Sequence, residues 1–225
     1  MISIIIPTFN EEKVLPETLH YLLRQPGDFE IIVVDGGSID HTCEIVRREP
    51  GVRLLTAPKG RAFQMNTGAR HASGDWLLFL HADTLLPKGA LARLNTLETD
   101  ETVQAGGFLH QFSGTNWRLR MFSYFNNLRC RWSKIIYGDQ AMFVRRTLFA
   151  QLGEFPDEPI LEDVLFSRKL VHLVTPVMLA PPVITDSRKF VQMGIWRSAA
   201  RGALILLSIQ LHLPLISRAF FREIR

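Results

Sequence analysis

Ile2-Ser3-Ile4-Ile5-Ile6-Pro7-Thr8-Phe9-Asn10-Glu11-Glu12 is the stretch on which the reading of this chain turns. The β-branched run before Pro7 has too little polarity for a strand that faces water, and the proline closes it, so a buried strand running into a loop is expected. Thr8 or Asn10 can cap a helix starting near Glu11, and acidic residues suit its first turn. The pattern then recurs. Phe29 to Asp35 reads as a second strand, turned by Gly36-Gly37-Ser38 into a helix capped by Ser38 or Asp40. Val52 to Thr56 precedes a helical stretch from Gly60 to Ala72, and Asp75-Trp76-Leu77-Leu78-Phe79-Leu80 stops at His81-Ala82-Asp83.

Strands alternating with helices of about a dozen residues imply parallel βαβ units with right-handed crossovers. The expected fold class is α/β, a mostly parallel nucleotide-binding sheet flanked by helices. Ligands of such sheets sit beyond the carboxyl ends of the strands, which is where Pro7 to Glu11, Asp35 to Ser38 and His81 to Asp83 fall. Further on, a helix is expected through Leu91 to Leu97, and Gly106 to Phe112 alternates like a half-exposed strand. Trp117 to Trp132 mixes aromatic and basic residues without a clean period and reads as a helix or loop on the acceptor side. Ile135 to Val144 reads as a strand interrupted by Gly138-Asp139-Gln140, and Leu161 to Val174 as a helix entered through Glu162-Asp163.

The chain has 225 residues, 47 % apolar and 21 % charged, enough for one substantial core. A net charge of +4 is too small and too scattered for a nucleic-acid partner, which calls for a dense basic stripe. Cys43 and Cys130 match no metal-ligand spacing and read as free thiols in a reducing compartment. The N-terminus has no basic region followed by an apolar stretch, so a cytoplasmic catalytic part is expected.

Taken in order, Pro7-Thr8-Phe9-Asn10-Glu11-Glu12, Val34-Asp35-Gly36-Gly37-Ser38, His81-Ala82-Asp83 and Leu161-Glu162-Asp163 resemble the signatures of family 2 glycosyltransferases over roughly residues 1–175. The resemblance implies a GT-A type fold and transfer of a sugar from a nucleotide-sugar donor to an acceptor hydroxyl. It implies that Pro7, Thr8, Phe9 and Glu11 line the base and ribose, and that Asp35 accepts a hydrogen bond from the base. The bland reading makes Phe9 a core residue and Asp35 a helix cap. His81-Ala82-Asp83 stands where the family has an Asp-X-Asp triplet, so Asp83 and His81 are the expected ligands of a divalent ion, Mn²⁺ or Mg²⁺. An imidazole ligand suits Mn²⁺ better; His81 can instead bind ribose. Arg61, at a helix start after Lys59-Gly60, is the expected phosphate contact. Asp163 is the implied catalytic base, with inversion, and Asp139, Gln140 and Glu162 the expected acceptor pocket. The stretches around Gly60 to Asn66 and Leu80 to Thr84 resemble small bacterial transferases of arsenosugar biosynthesis. The whole reading requires Asp35, Asp83 and Asp163 to surround one small cavity. The competing reading is a catalytically inactive nucleotide-sugar-binding scaffold; a nucleotidyltransferase would need a Gly-rich loop with Arg and Lys after the first strand, where Pro7 to Glu12 stands.

Residues 1–190 read as the catalytic domain and 191–225 as a helical appendage. Its apolar stretch from Gly202 to Ser217 is shorter than the roughly twenty residues a spanning helix needs. With Trp196, Phe220, Phe221 and five arginines around it, it reads as a membrane-interfacial helix on the inner face, a homodimer contact, or a final helix packed on the core.

Overall fold

The computed structural model describes residues 1–158, 161–194 and 197, so the expected C-terminal appendage lies almost wholly outside the described residues. Among the described residues no helix is long and apolar enough to cross a membrane. In chain order the elements are β1 (Ile2–Thr8), α1 (Leu15–Leu22), β2 (Phe29–Asp35), α2 (Thr42–Arg48), β3 (Val52–Thr56), α3 (Arg61–Arg70), β4 (Trp76–Phe79), β5 (Thr84–Leu85), α4 (Ala90–Thr96), β6 (Ala105–Phe112), α5 (Trp117–Ser133), β7 (Phe143–Arg145), α6 (Arg146–Gln151), α7 (Glu162–Leu170), β8 (Val177–Thr185) and α8 (Arg188–Gln192).

They build one sheet in the order β3-β2-β1-β4-β7-β6-β8-β5. The first four strands of that order are parallel, as the alternating sequence requires. β6 also runs parallel to β8, while β7 is antiparallel to both β4 and β6, and β5 to β8. Successive residues of β1 serve opposite faces. Ile2, Ile4 and Ile6 join the core under α1 and α4, whereas Ile5 packs with Ile32, Val34 and the apolar residues of α3, α6 and α7. Burial on both faces is why β1 and β2 lack polar alternation.

The expected capping and two expected elements are corrected. α1 begins at Leu15 rather than near Glu11, and neither Thr8 nor Asn10 caps it. The intervening turn is anchored elsewhere: the Glu11 amide donates to Thr42 Oγ1 at 2.9 Å and the Glu12 amide to Asp40 Oδ2 at 3.1 Å. Asp40 does accept from the Thr42 amide at 3.0 Å, although α2 starts at Thr42. Ile135 to Val144 is mostly not strand: Gly138–Gln140 forms a single 3₁₀ turn and pairing begins only at Phe143. β6 is not half exposed, because helix α5 and strand β8 cover it and six of its eight residues are buried.

Candidate active site

The carboxyl ends of β1, β2 and β4 and the starts of α3 and α7 gather the polar residues into three layers. At the back lies the turn after β2. The Asp35 carboxylate is buried and accepts from the Gly37 and Ser38 amides, each at 2.8 Å, and from the Ser38 hydroxyl. Thr8 Oγ1 donates to it at 3.3 Å. Burial works to raise the Asp35 pKa, but the Ser38 hydroxyl and amide and the Gly37 amide outweigh it and hold the carboxyl below its usual value. In this state Asp35 shapes the loop. Gln64, from α3, donates from one amide nitrogen to the carbonyls of Thr8 at 2.7 Å and Val34 at 2.8 Å, tying the ends of β1 and β2 together. Phe9 is not core: it is half-buried, and Lys59 Nζ stands 3.6 Å from its ring centroid. Pro7 is also half-buried.

The second layer is a cavity of about 650 Å³ in front of β5 and β8. Glu11, Glu12, Asp40, Asp83 and Asp186 give it five carboxylates, against Lys13 and Arg188. β5 pairs with β8 so that the Asp186 amide donates to the Asp83 carbonyl at 3.0 Å, which sets the two aspartates side by side. Arg188 holds Asp186 through Nε. Neither Asp186 nor Arg188 was expected, since each is an ordinary polar residue until β8 brings it to Asp83.

The third layer centres on Arg61. Its Nε lies 2.7 Å from Glu162 Oε1, and its Nη2 lies 3.8 Å from Asp163 Oδ2. Burial works against the guanidinium charge, but Glu162, Asp163 and Asp139 outweigh it and raise the Arg61 pKa. The Gly138 amide donates to Asp163 Oδ2. A Cβ placed on Gly138 would lie 2.9 Å from each of Arg61 Nη2, Asp163 Oδ2 and His81 Nε2, so these three groups converge on one glycine. Asp139 Oδ2 stands 3.7 Å from His110 Nε2 on the far side of the same turn.

Among the other expected site residues, Thr8, Ala82, Gln140 and Glu162 are buried. The Ala82 carbonyl accepts from Thr18 at 2.6 Å, and Gln140 Oε1 accepts from the Tyr137 amide at 3.0 Å. Asp83 lines the cavity, and the His81 ring nitrogen lies among the groups around Gly138. Of the three aspartates, Asp83 lines this cavity, Asp35 holds the turn after β2, and Asp163 accepts from the Gly138 amide. Among the described residues no group of three His, Cys, Asp or Glu side chains is arranged to hold a metal ion unaided. The acid-lined cavity nonetheless fits a hard cation of the kind bound by one or two carboxylates and completed by substrate phosphates.

The family model of glycosyl transferase family 2 matches residues 3–153. The chain belongs to this family. Relatives include a PGL/p-HBAD biosynthesis glycosyltransferase of Mycobacterium bovis, 34 % identical over 179 residues, covering 76 % of this chain and 57 % of the relative. A probable glycosyltransferase of Bacillus subtilis, YdaM, is 27 % identical over 221 residues, covering 87 % and 52 %. The chain thus spans about half the length of the curated relatives it matches. Among solved structures, a mannosyltransferase from Pyrobaculum calidifontis in complex with GDP-Man and Mn²⁺ superposes with a TM-score of 0.61 at 28 % identity, over 82 % of this chain and 56 % of that one. S. aureus TarS shares the GT-A fold with a TM-score of 0.66 at 23 % identity, over 84 % and 61 %.

Proposed function

We propose that this chain moves a sugar from a nucleoside-diphosphate donor to an acceptor hydroxyl, with inversion at the anomeric carbon and a divalent ion, Mn²⁺ or Mg²⁺, as cofactor. The observation that carries this reading is the meeting of Asp163, Arg61 and His81 around Gly138, next to a carboxylate-lined cavity holding Asp83. The donor class is supported by the neighbouring mannosyltransferase solved with GDP-Man and Mn²⁺.

In this reading Pro7, Phe9 and Glu11 flank the base and ribose, with Asp35 and Thr8 holding the loop beneath them. Asp83 would hold the ion together with the donor's own phosphate oxygens, and the ion would offset the charge that builds on the departing diphosphate. Arg61 offers a second positive group to that diphosphate. Asp163 accepts the acceptor's hydroxyl proton while the oxygen forms its bond to the anomeric carbon, from the face opposite the leaving group. The old bond's electron pair departs on the nucleoside diphosphate. Asp139 orients the acceptor from the neighbouring turn.

Incubating the purified chain and Mn²⁺ with a panel of UDP- and GDP-sugars, and following nucleoside diphosphate release, tests the reading. Asp163→Asn is expected to lose 10²- to 10⁴-fold of turnover, about the range for a general base, while calorimetry shows unchanged donor binding. A wild-type chain that binds a donor but never releases diphosphate establishes the alternative, an inactive nucleotide-sugar-binding scaffold.

A further inference from the structure

Helix α5 inverts the usual arrangement of a surface helix. Its packed face is made of Leu119, Ser123 and Cys130, while Trp117, Met121, Tyr124, Phe125 and Trp132 are turned to solvent. Trp117 is 64 % and Trp132 83 % exposed. At ~100° per residue, these five side chains fall within an arc of about 100°, opposite the packed face. Single exposed apolar residues need no explanation, but a continuous stripe marks a contact surface. Exposed arginines border it, Arg118 along one edge and Arg120 and Arg131 along the other. Residues 117–134 contain five cations and no acid.

The helix is already formed and fixed. Asn116 caps it by accepting from the Arg118 amide at 3.0 Å, and Phe122 stacks against Phe190 and Phe112, with ring centroids 5.1 Å and 6.3 Å away. Contact therefore carries no cost of folding the segment.

We propose that α5 docks flat on an anionic lipid surface, its aromatic stripe among the headgroups and its bordering arginines on lipid phosphates. Trp and Tyr favour that wet boundary, and each arginine near it adds an electrostatic increment. The charges select this occupant. A second copy in a two-fold contact would bring its own arginines against Arg118, Arg120 and Arg131. A single-stranded nucleic acid is held in a charged groove, and α5 offers a convex rod. The proposal concerns residues outside the transfer site and stands independently of the donor chemistry.

Co-sedimentation of the full chain with vesicles tests it. Binding is expected to vesicles of phosphatidylcholine mixed with phosphatidylglycerol, weakly or not at all to phosphatidylcholine alone, and to fall with salt. The triple variant Arg118→Gln, Arg120→Gln, Arg131→Gln is expected to partition about a hundredfold more weakly, and Trp117→Ala with Trp132→Ala to lose most binding and the blue shift of tryptophan fluorescence on vesicle addition. All these side chains are exposed, so thermal midpoints should match wild type. Vesicle binding unchanged in both variants overturns the proposal, as do equal binding to the two lipid mixtures, a dimer in sedimentation velocity that the tryptophan changes dissociate, or tighter binding to single-stranded RNA than to vesicles.

Discussion

Arg61 Nε lies 2.7 Å from Glu162 Oε1, joining the first residue of α3 to the first residue of α7. A guanidinium at the positive end of its own helix is poorly placed, whereas two acids at the start of α7 suit that helix's dipole. The pair turns this mismatch into a link between helix α3, packed on β1 and β2, and the helix bearing Asp163.

Replacing Arg61 with alanine leaves Glu162, 1 % exposed, without this counter-charge. Loss of one partner of a fully buried pair costs about 3–5 kcal/mol; because Arg61 is partly in water, about 2 kcal/mol is expected here. Urea unfolding measures it, and Arg61→Lys should recover only part of the loss, since it keeps the charge but not the forked geometry. Full stability in Arg61→Ala would show that Glu162 is held by other groups.

Gly138→Ala should damage activity far more than folding. Its φ lies outside the left-handed range, so the backbone accepts alanine, but the new methyl would stand 2.9 Å from Arg61, Asp163 and His81. Those are the ends of flexible side chains, which move aside. Turnover is expected to fall at least about tenfold, the scale on which misplacement of catalytic groups acts, with little change in thermal midpoint. Comparing donor turnover with calorimetric unfolding decides it.

Asp83→Ala should abolish stimulation by Mn²⁺, on the order of a hundredfold in rate if the ion supplies several kcal/mol. The fold should survive, because the backbone link at the β5–β8 junction, the Asp186 amide donating to the Asp83 carbonyl, is kept in the variant. A metal titration of diphosphate release that looks the same in variant and wild type would move the ion elsewhere.

Much of this was legible because it rests on apolar runs. β1, β2 and β4 are continuous hydrophobic stretches, and the loops that end them carry Phe9, Asp35 and Asp83. β8 was not legible: Pro181-Pro182 argues against a strand, yet β6 pairs with it on both sides of the prolines and takes up the mismatch in an irregularity between Phe108 and His110. With β8 hidden, Asp186 and Arg188 had no reason to stand out. The period of α5 was obscured because its aromatic residues face outward and its packed side is small and partly polar. Gln64 gave no signal, since a lone amide becomes a clamp only where two strand ends meet it.

Asp35→Asn tests the turn through its pH dependence. A carboxyl whose pKa is lower folded than unfolded contributes stability that is complete above about pH 3.9 and is lost as pH falls through the folded value. Asparagine cannot ionise and sets an amide against the Gly37 and Ser38 donors, so the variant should be less stable by about 2 kcal/mol near neutrality. Urea midpoints should stay separated down to about pH 5 and converge below about pH 4. A gap that widens on acidification would reverse the sign assigned to Asp35.

The pairing of β5 with β8 also governs when the acid-lined cavity can exist. During synthesis β1 to β4 emerge early and can assemble as a parallel unit, while Asp83 waits for Asp186 to leave the ribosome more than half a domain later. The nascent chain would thus hold a shaped β1–β4 unit well before the pocket wall beside it is finished, and a ribosome stalled ahead of β8 would present a folded half with that acid-lined cavity still open.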